Sequence, residues 1–242
     1  MKKFVLVCGA SGSIGAAICQ QLAADGWSIY LHYSTNKERV QALYETLENA
    51  YPEQEFFIVK GDFSENHCAS QLASQLFTLH AIVFANGQAL YELLEDTTQK
   101  QMQDLWKVHV ETPMLICQQL AKKLRQHQTS HIVFVSSIWG EAGASGEVVY
   151  SAVKGAQNSF VKAYAQECAY NGIRVNAIAP GIIETSMNQH LSDEEQQAII
   201  DSIPLQRYGQ PEEVANLMSY LISGRADYMT GQILRLNGGW HI

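Results

Sequence analysis

The chain has 242 residues, 47% of them apolar, with a formal net charge of −8. That apolar content supplies a large buried core, and the acidic balance excludes a broad basic surface for nucleic acid while leaving room for a local cationic pocket. The five cysteines lie far apart with no C-x-x-C, so no disulfide framework and no metal site is expected, and a reducing, cytoplasmic setting fits.

Lys2 and Lys3 precede the apolar run FVLVCG, which is too short for a signal peptide or a membrane span and ends in a Gly/Ser turn. Five further β-type runs follow: SIYLHY, EFFIVKG, HAIVFANG, HIVFVSS and IRVNAIAPG. Stretches of helical spacing lie between them, as over Ile14 to Ala24 and Lys37 to Ala50. The alternation predicts βαβ units, and so an α/β chain with a doubly wound parallel sheet and helices on both faces. With no repeat and no Pro- or Gly-rich linker, residues 1–242 read as one domain.

The first run feeds the turn Gly9-Ala10-Ser11-Gly12-Ser13-Ile14-Gly15, whose glycines miss the G-x-G-x-x-G dinucleotide fingerprint. Glycine lets backbone approach a ligand, and the free N–H groups of a helix start favour phosphate. By itself the turn reads equally as a nucleotide site or as a surface loop. The second run ends in Tyr33-Ser34-Thr35-Asn36-Lys37, without the carboxylate that would hold the ribose hydroxyls of NAD. Hydroxyls and an ammonium suit a 2′-phosphate, which points to NADP(H); the alternative makes Lys37 and Arg39 solvated charges at a helix start.

The fifth run ends at Ser137, and Tyr150 and Lys154 follow, four apart and so on one face of a helix. A free phenol has a pKa of about 10, and a nearby ammonium lowers it by stabilising the phenolate. Tyr plus Lys therefore makes a general acid for a carbonyl oxygen, and Ser137 can hydrogen-bond the same oxygen. After Pro180-Gly181, the polar stretch 182–207 reads as a substrate flap or as an ordinary pair of surface helices.

Together, GASGSIG, the Ser137/Tyr150/Lys154 set and Pro180-Gly181-Ile182-Ile183-Glu184-Thr185 resemble the short-chain dehydrogenase/reductase family over nearly the whole chain. Ser13 stands where the family's G-x-x-x-G-x-G has its middle glycine. The resemblance implies a Rossmann-type fold and cofactor contacts from Gly9, Ala10, Ser11, Gly12, Ser13, Ile14, Gly15 and Ser34. It adds Asp62, Phe63, Ala85, Asn86, Gly87, Tyr150, Lys154, Ile183 and Thr185. PLQRYGQPEEVA and TGQILRLNGG resemble the 3-oxoacyl-acyl-carrier-protein reductase branch, and a homotetramer is common among such enzymes.

Several positions depart from the family. Its N-N-A-G motif reads Phe84-Ala85-Asn86-Gly87, and the threonine that joins in bracing the two turns is Cys8, so cofactor contacts there must rely more on backbone. The fourth catalytic residue, an asparagine holding a water relay, aligns with His109, which either takes over the relay or packs locally. Gln128 and Asn171 stand where basic residues meet the acyl carrier protein, with Lys122, Lys123 and Arg125 nearby. Glu141 and Glu147 beside the site either favour a cationic carbonyl substrate or are ordinary surface charges. His109 and this loop also resemble a branch that reduces an aminopentanone group carried on elongation factor P. The expected function is thus NADPH-dependent ketone reduction on one of these two carriers; a nucleotide-sensing protein that kept the fold and lost the chemistry is the alternative of another class.

Overall fold

The computed structural model describes residues 2–185 and 192–241, so positions 186–191 of the expected flap lie outside the described residues. The first half of the chain runs β1 (Lys3–Cys8), α1 (Ser13–Ala24), β2 (Trp27–Tyr33), α2 (Lys37–Ala50), β3 (Phe56–Lys60), α3 (Cys68–Gln75) and β4 (Ala81–Phe84). The second half opens with α4 (Gln99–Trp106), which passes through a π-helical turn (Lys107–Glu111) into α5 (Thr112–Leu124). There follow β5 (Ser130–Val135), α6 (Trp139–Ala142), α7 (Val148–Cys168), β6 (Ile173–Pro180), α8 (Asp193–Ser202), α9 (Pro211–Ile222) and β7 (Ile233–Leu236).

Among the described residues the sheet has seven strands, all parallel, in the order β3-β2-β1-β4-β5-β6-β7. The six apolar runs fall on β1 to β6. β7, within TGQILRLNGG, is a partly exposed edge strand, which is why its apolar signal is weak.

Each central strand is buried on both faces, and alternate side chains build two separate cores. Val5, Val7, Ile29, Leu31 and Val83 meet Ile18 and Leu22 of α1, Leu43 of α2 and Met218 of α9. On the other face Leu6, Ile82, Phe84 and Phe134 meet Leu72 of α3, Leu120 of α5 and Val161 of α7. A fully buried Leu or Phe on either face contributes about 2–3 kcal/mol.

Three helices start where a side chain takes up free N–H groups. Asn36 accepts from the Arg39 backbone at α2, and capping boxes Thr98/Gln101 and Ser192/Glu195 open α4 and α8. At the base of the flap, the Glu184 N–H donates to Gly209 O at 2.8 Å and the Gly209 N–H to Ile182 O at 3.0 Å. Among the described residues no helix is long and apolar enough to cross a membrane.

Candidate active site

Strand order reverses between β1 and β4, so the turns after these strands part and open a crevice at their carboxyl ends. Gly9 sits at φ +83°, and a Cβ there would come within 2.7 Å of Asn86 Cα. A Cβ on Gly15 would meet Gly9 O at 2.1 Å. The Ala85 N–H donates to Cys8 O at 3.0 Å. The two turns are therefore set side by side by direct backbone contact. Asn86 turns its side chain away to donate from Nδ2 to Val108 O at 2.9 Å.

The crevice holds a cleft of about 560 Å³. Of the residues proposed from sequence, Gly12, Ser13, Ile14, Gly15, Ala85, Asn86 and Gly87 line one side, and Ser137, Tyr150, Lys154, Ile183 and Thr185 the other. Gly9 and the buried Ala10 lie beneath the turn, with half-buried Ser11 on it. Ser34 is half-buried just beyond β2. Asp62 is exposed and accepts from the Ser64 N–H and hydroxyl at 2.9 and 2.7 Å, and Phe63 is buried beside His32. These last residues stand off the cleft.

Cα spacing along α7 puts Tyr150 and Lys154 on one face, as their separation requires. Lys154 is 3% exposed; its Nζ donates to Val135 O at 3.0 Å and lies 5.5 Å from the Tyr150 ring centroid. Burial pushes Lys154 down to about 7. The Tyr150 phenol is hydrogen-bonded with Ser137, yet burial first, then Glu147 and Tyr91, hold its pKa well above the ordinary value. This corrects the expectation of a phenol pulled down by its lysine. With an ammonium this easily neutralised and a carboxylate close by, Tyr150 keeps its proton at neutral pH, the state of an acid rather than of a base.

His109 does not reach the cleft wall. It lies fully buried in the π-turn under Gly87, whose Cβ, if present, would be 2.9 Å from His109 Cε1. Its Nε2 is 3.0 Å from Gln88 O and 3.3 Å from Gln88 N, and its ring stands edge-on to Tyr150 at 5.6 Å. Burial, then the charge of Lys154, holds it down to about 3, so it is neutral. Nδ1 is buried without a protein partner. The π-turn also takes backbone carbonyls out of the regular ladder. Val108 O receives Asn86, and His109 O receives Gln157 Nε2 at 2.6 Å from α7.

Three features escaped the sequence reading. Arg39 reaches from α2 to the glycine turn, donating from Nη2 to Ser13 Oγ at 3.3 Å. His32, in the middle of a buried run, signals by its polarity alone that it must have partners. On the outer side of the cleft, Tyr91, Trp139, Trp240 and Ile199 of α8 join Glu147. Trp139 and Trp240 pack edge to face at 5.1 Å. Glu141 is committed to Arg235 of β7 at 2.9 and 3.3 Å. Among the described residues no three His, Cys, Asp or Glu side chains cluster as metal ligands.

A profile of the family described as enoyl-(acyl carrier protein) reductase matches residues 9–241. The chain belongs to the short-chain dehydrogenase/reductase family. It is 41% identical over 242 residues to the oxidoreductase YmfI of Bacillus subtilis, covering 100% of both chains. It is 30% identical over 246 residues to the 3-oxoacyl-[acyl-carrier-protein] reductase FabG of Staphylococcus aureus, covering 100% of this chain and 99% of that one. Among solved structures, a blue fluorescent protein from a metagenomic library in complex with NADPH superposes with a TM-score of 0.92 at 26% identity, covering 99% of this chain and 98% of that one. Within the short-chain reductases the likeness is to the 3-oxoacyl-acyl-carrier-protein reductase branch.

Proposed function

We propose that this short-chain reductase, a single domain, reduces a ketone to a secondary alcohol with NADPH. The observation that carries the reading is Tyr150, protonated, hydrogen-bonded with Ser137 and beside Lys154 on the wall of a dinucleotide-sized cleft. The cradle fits the cofactor. Gly9 and Gly15 leave no room for side chains, α1 opens on the cleft with no side-chain cap, and Arg39 with Ser13 offers donors to a 2′-phosphate where no carboxylate repels it. NADPH, when bound, supplies the hydride. Ser137 polarises and orients the carbonyl oxygen, and Tyr150 gives it a proton as charge develops. Lys154, tied to Val135 O, has donors left for ribose hydroxyls and returns charge beside the phenol once Tyr150 has given up its proton. His109 acts behind Tyr150, its unpaired Nδ1 being the one ring atom free to pass a proton onward through water.

A 3-oxoacyl thioester on acyl carrier protein is the substrate that the FabG likeness supports. A second reading, an amine-bearing ketone attached to elongation factor P, is favoured by Glu147 and three aromatic rings on the cleft wall, a setting for an ammonium. Supplying a short 3-oxoacyl thioester with NADPH separates them: full turnover selects the first, and none selects the protein-borne ketone. Tyr150→Phe retaining full biological activity would overturn catalysis in favour of nucleotide sensing. Self-association, as a homotetramer, is supported by Leu94 exposed in the turn before α4 and by Trp106, Met114 and Val148 exposed on α4, α5 and α7, and sedimentation tests it. Five free, buried cysteines support a reducing, cytoplasmic location.

A further inference from the structure

We infer that His32 is a positioning residue for the cofactor, bracing the glycine turn from the β2 side where this chain lacks a side-chain brace on the β4 side. An imidazole inside a strand whose every residue is buried must satisfy both ring nitrogens. His32 does so on two different elements. Nδ1 accepts from the Gly9 N–H at 3.2 Å, and Nε2 lies 3.0 Å from Gly61 O at the end of β3, to which it donates. One accepted and one donated bond fix a single neutral tautomer, protonated on Nε2.

The backbone of the same residue completes the brace, because His32 O accepts from the Ala10 N–H at 2.8 Å. The ring centroid stands 4.7 Å from that of Phe63, and a Cβ on Gly61 would fall 3.1 Å from Nε2. His32 thus touches the turn that faces the phosphates and the loop expected to face adenine. Burial holds its pKa near 4, against smaller opposite effects of the Gly61 carbonyl and Asp62, so the Nδ1 acceptor persists at neutral pH.

The Gly9 N–H belongs to neither helix nor ladder. Without His32 it is left unpaired beneath the turn, and the Gly9 carbonyl that receives the Gly12 N–H at 2.9 Å loses its fixed orientation. Tyr150 and Lys154 stand on α7, across the cleft, and share no hydrogen bond with His32. The effect of losing the brace therefore falls on nucleotide affinity and not on the chemical step.

The inference rests on the nucleotide-reductase reading, and the test keeps the two apart. His32→Leu removes both bonds, while the amide of His32→Gln can accept from Gly9 and donate to Gly61. We expect the Kd and KM for NADPH to rise about tenfold in His32→Leu, the scale of one lost hydrogen bond with its donor left buried, with kcat at saturating NADPH changed far less. His32→Gln should recover most of that affinity. A folded His32→Leu protein with unchanged Kd overturns the inference, as does a kcat loss as large as the KM change, or a His32→Gln protein no better than His32→Leu. If His32→Leu fails to fold, His32→Asn, whose amide is too short to span both partners, carries the same expectation and the same refutation. Wild-type protein that binds NADH in place of NADPH would sink the cofactor assignment, and the same comparison made with NADH would still decide the brace.

Discussion

Adding one methyl group at Gly15 should disable the phosphate turn. Gly15 is buried in the first turn of α1, and its Cβ would lie 2.1 Å from Gly9 O and 2.8 Å from Gly9 C. Relief requires α1 and the turn to separate by about 1 Å, because non-bonded carbon and oxygen do not approach so closely. Neither side yields easily. Gly9 lies close beside Asn86, where a Cβ on it would come within 2.7 Å of Asn86 Cα, and its N–H and carbonyl are held by His32 and Gly12. α1 is anchored by fully buried Ile18, Cys19 and Leu22. Overpacking of this kind costs about 2–3 kcal/mol. Where the fold bears the strain, Tm falls by roughly 4–12 °C for a chain of this size. Where the turn shifts instead, NADPH affinity falls on the order of 30- to 100-fold. Thermal melts without nucleotide and NADPH titration by fluorescence read the two outlets together. Gly155→Ala is the control: it meets only Gly140 O, at 3.4 Å, and as a helix-interior substitution should be neutral or stabilise by up to about 1 kcal/mol. Gly15→Ala with unchanged Tm and a Kd within about twofold of wild type would refute the close-contact argument.

Three other substitutions and one change of condition have expected outcomes. Glu147→Gln removes the largest charge that raises the Tyr150 pKa, so the alkaline limb of the reduction rate should move to lower pH; an unmoved limb in a pH–rate profile would contradict this. Arg39→Gln should weaken NADPH about tenfold while leaving NADH nearly unaffected, whereas Ser13→Gly, which removes only the hydroxyl that Arg39 meets at 3.3 Å, should change NADPH affinity modestly; titration with both nucleotides checks the pair. His32, His109 and His131 are buried, with pKa values lowered from 6.5 to about 4, 3 and 4. At pH 7 they are neutral whether folded or unfolded. Below about 6.5 only the unfolded chain takes up their protons, so stability falls as pH drops through that window, by about 2 kcal/mol per histidine at pH 5. Urea midpoints that stay level between pH 7 and pH 5 would sink that reasoning.

The sheet was legible because each buried strand writes a short apolar run and each covering helix a 3.6-residue pattern, and α2 falls at Lys37–Ala50 as its spacing required. β7 was weaker because its side chains are only partly buried at the sheet edge. Ser137, Tyr150 and Lys154 could be grouped because two lie on one helix and the third ends the neighbouring strand; the structure brings all three to one cleft wall. What the pattern could not show was commitment. Glu141 and Glu147 are alike in sequence, but one is paired with Arg235 across the fold, 94 residues away, and the other faces the cleft. Likewise Arg39 is an ordinary exposed cation until α1 and α2 are set side by side.

Four polar side chains around the two turns share a physical cause: each stands where it pairs a backbone group outside the regular ladders. Asn86 answers Val108 O and Gln157 answers His109 O, two carbonyls within the π-turn. His109 meets the backbone of Gln88, and His32 meets Gly9 and Gly61. A buried backbone group left without a partner costs about 1–3 kcal/mol, so these residues are not independent choices. Reverting Asn86 alone to an apolar residue frees Val108 O, and replacing Gln157 alone frees His109 O. The chain holds its two turns and α7 by side-chain bonds to irregular backbone, a pattern with no sequence period, and for that reason His32 shows as a brace only in the company of Gly9, Ala10 and Gly61.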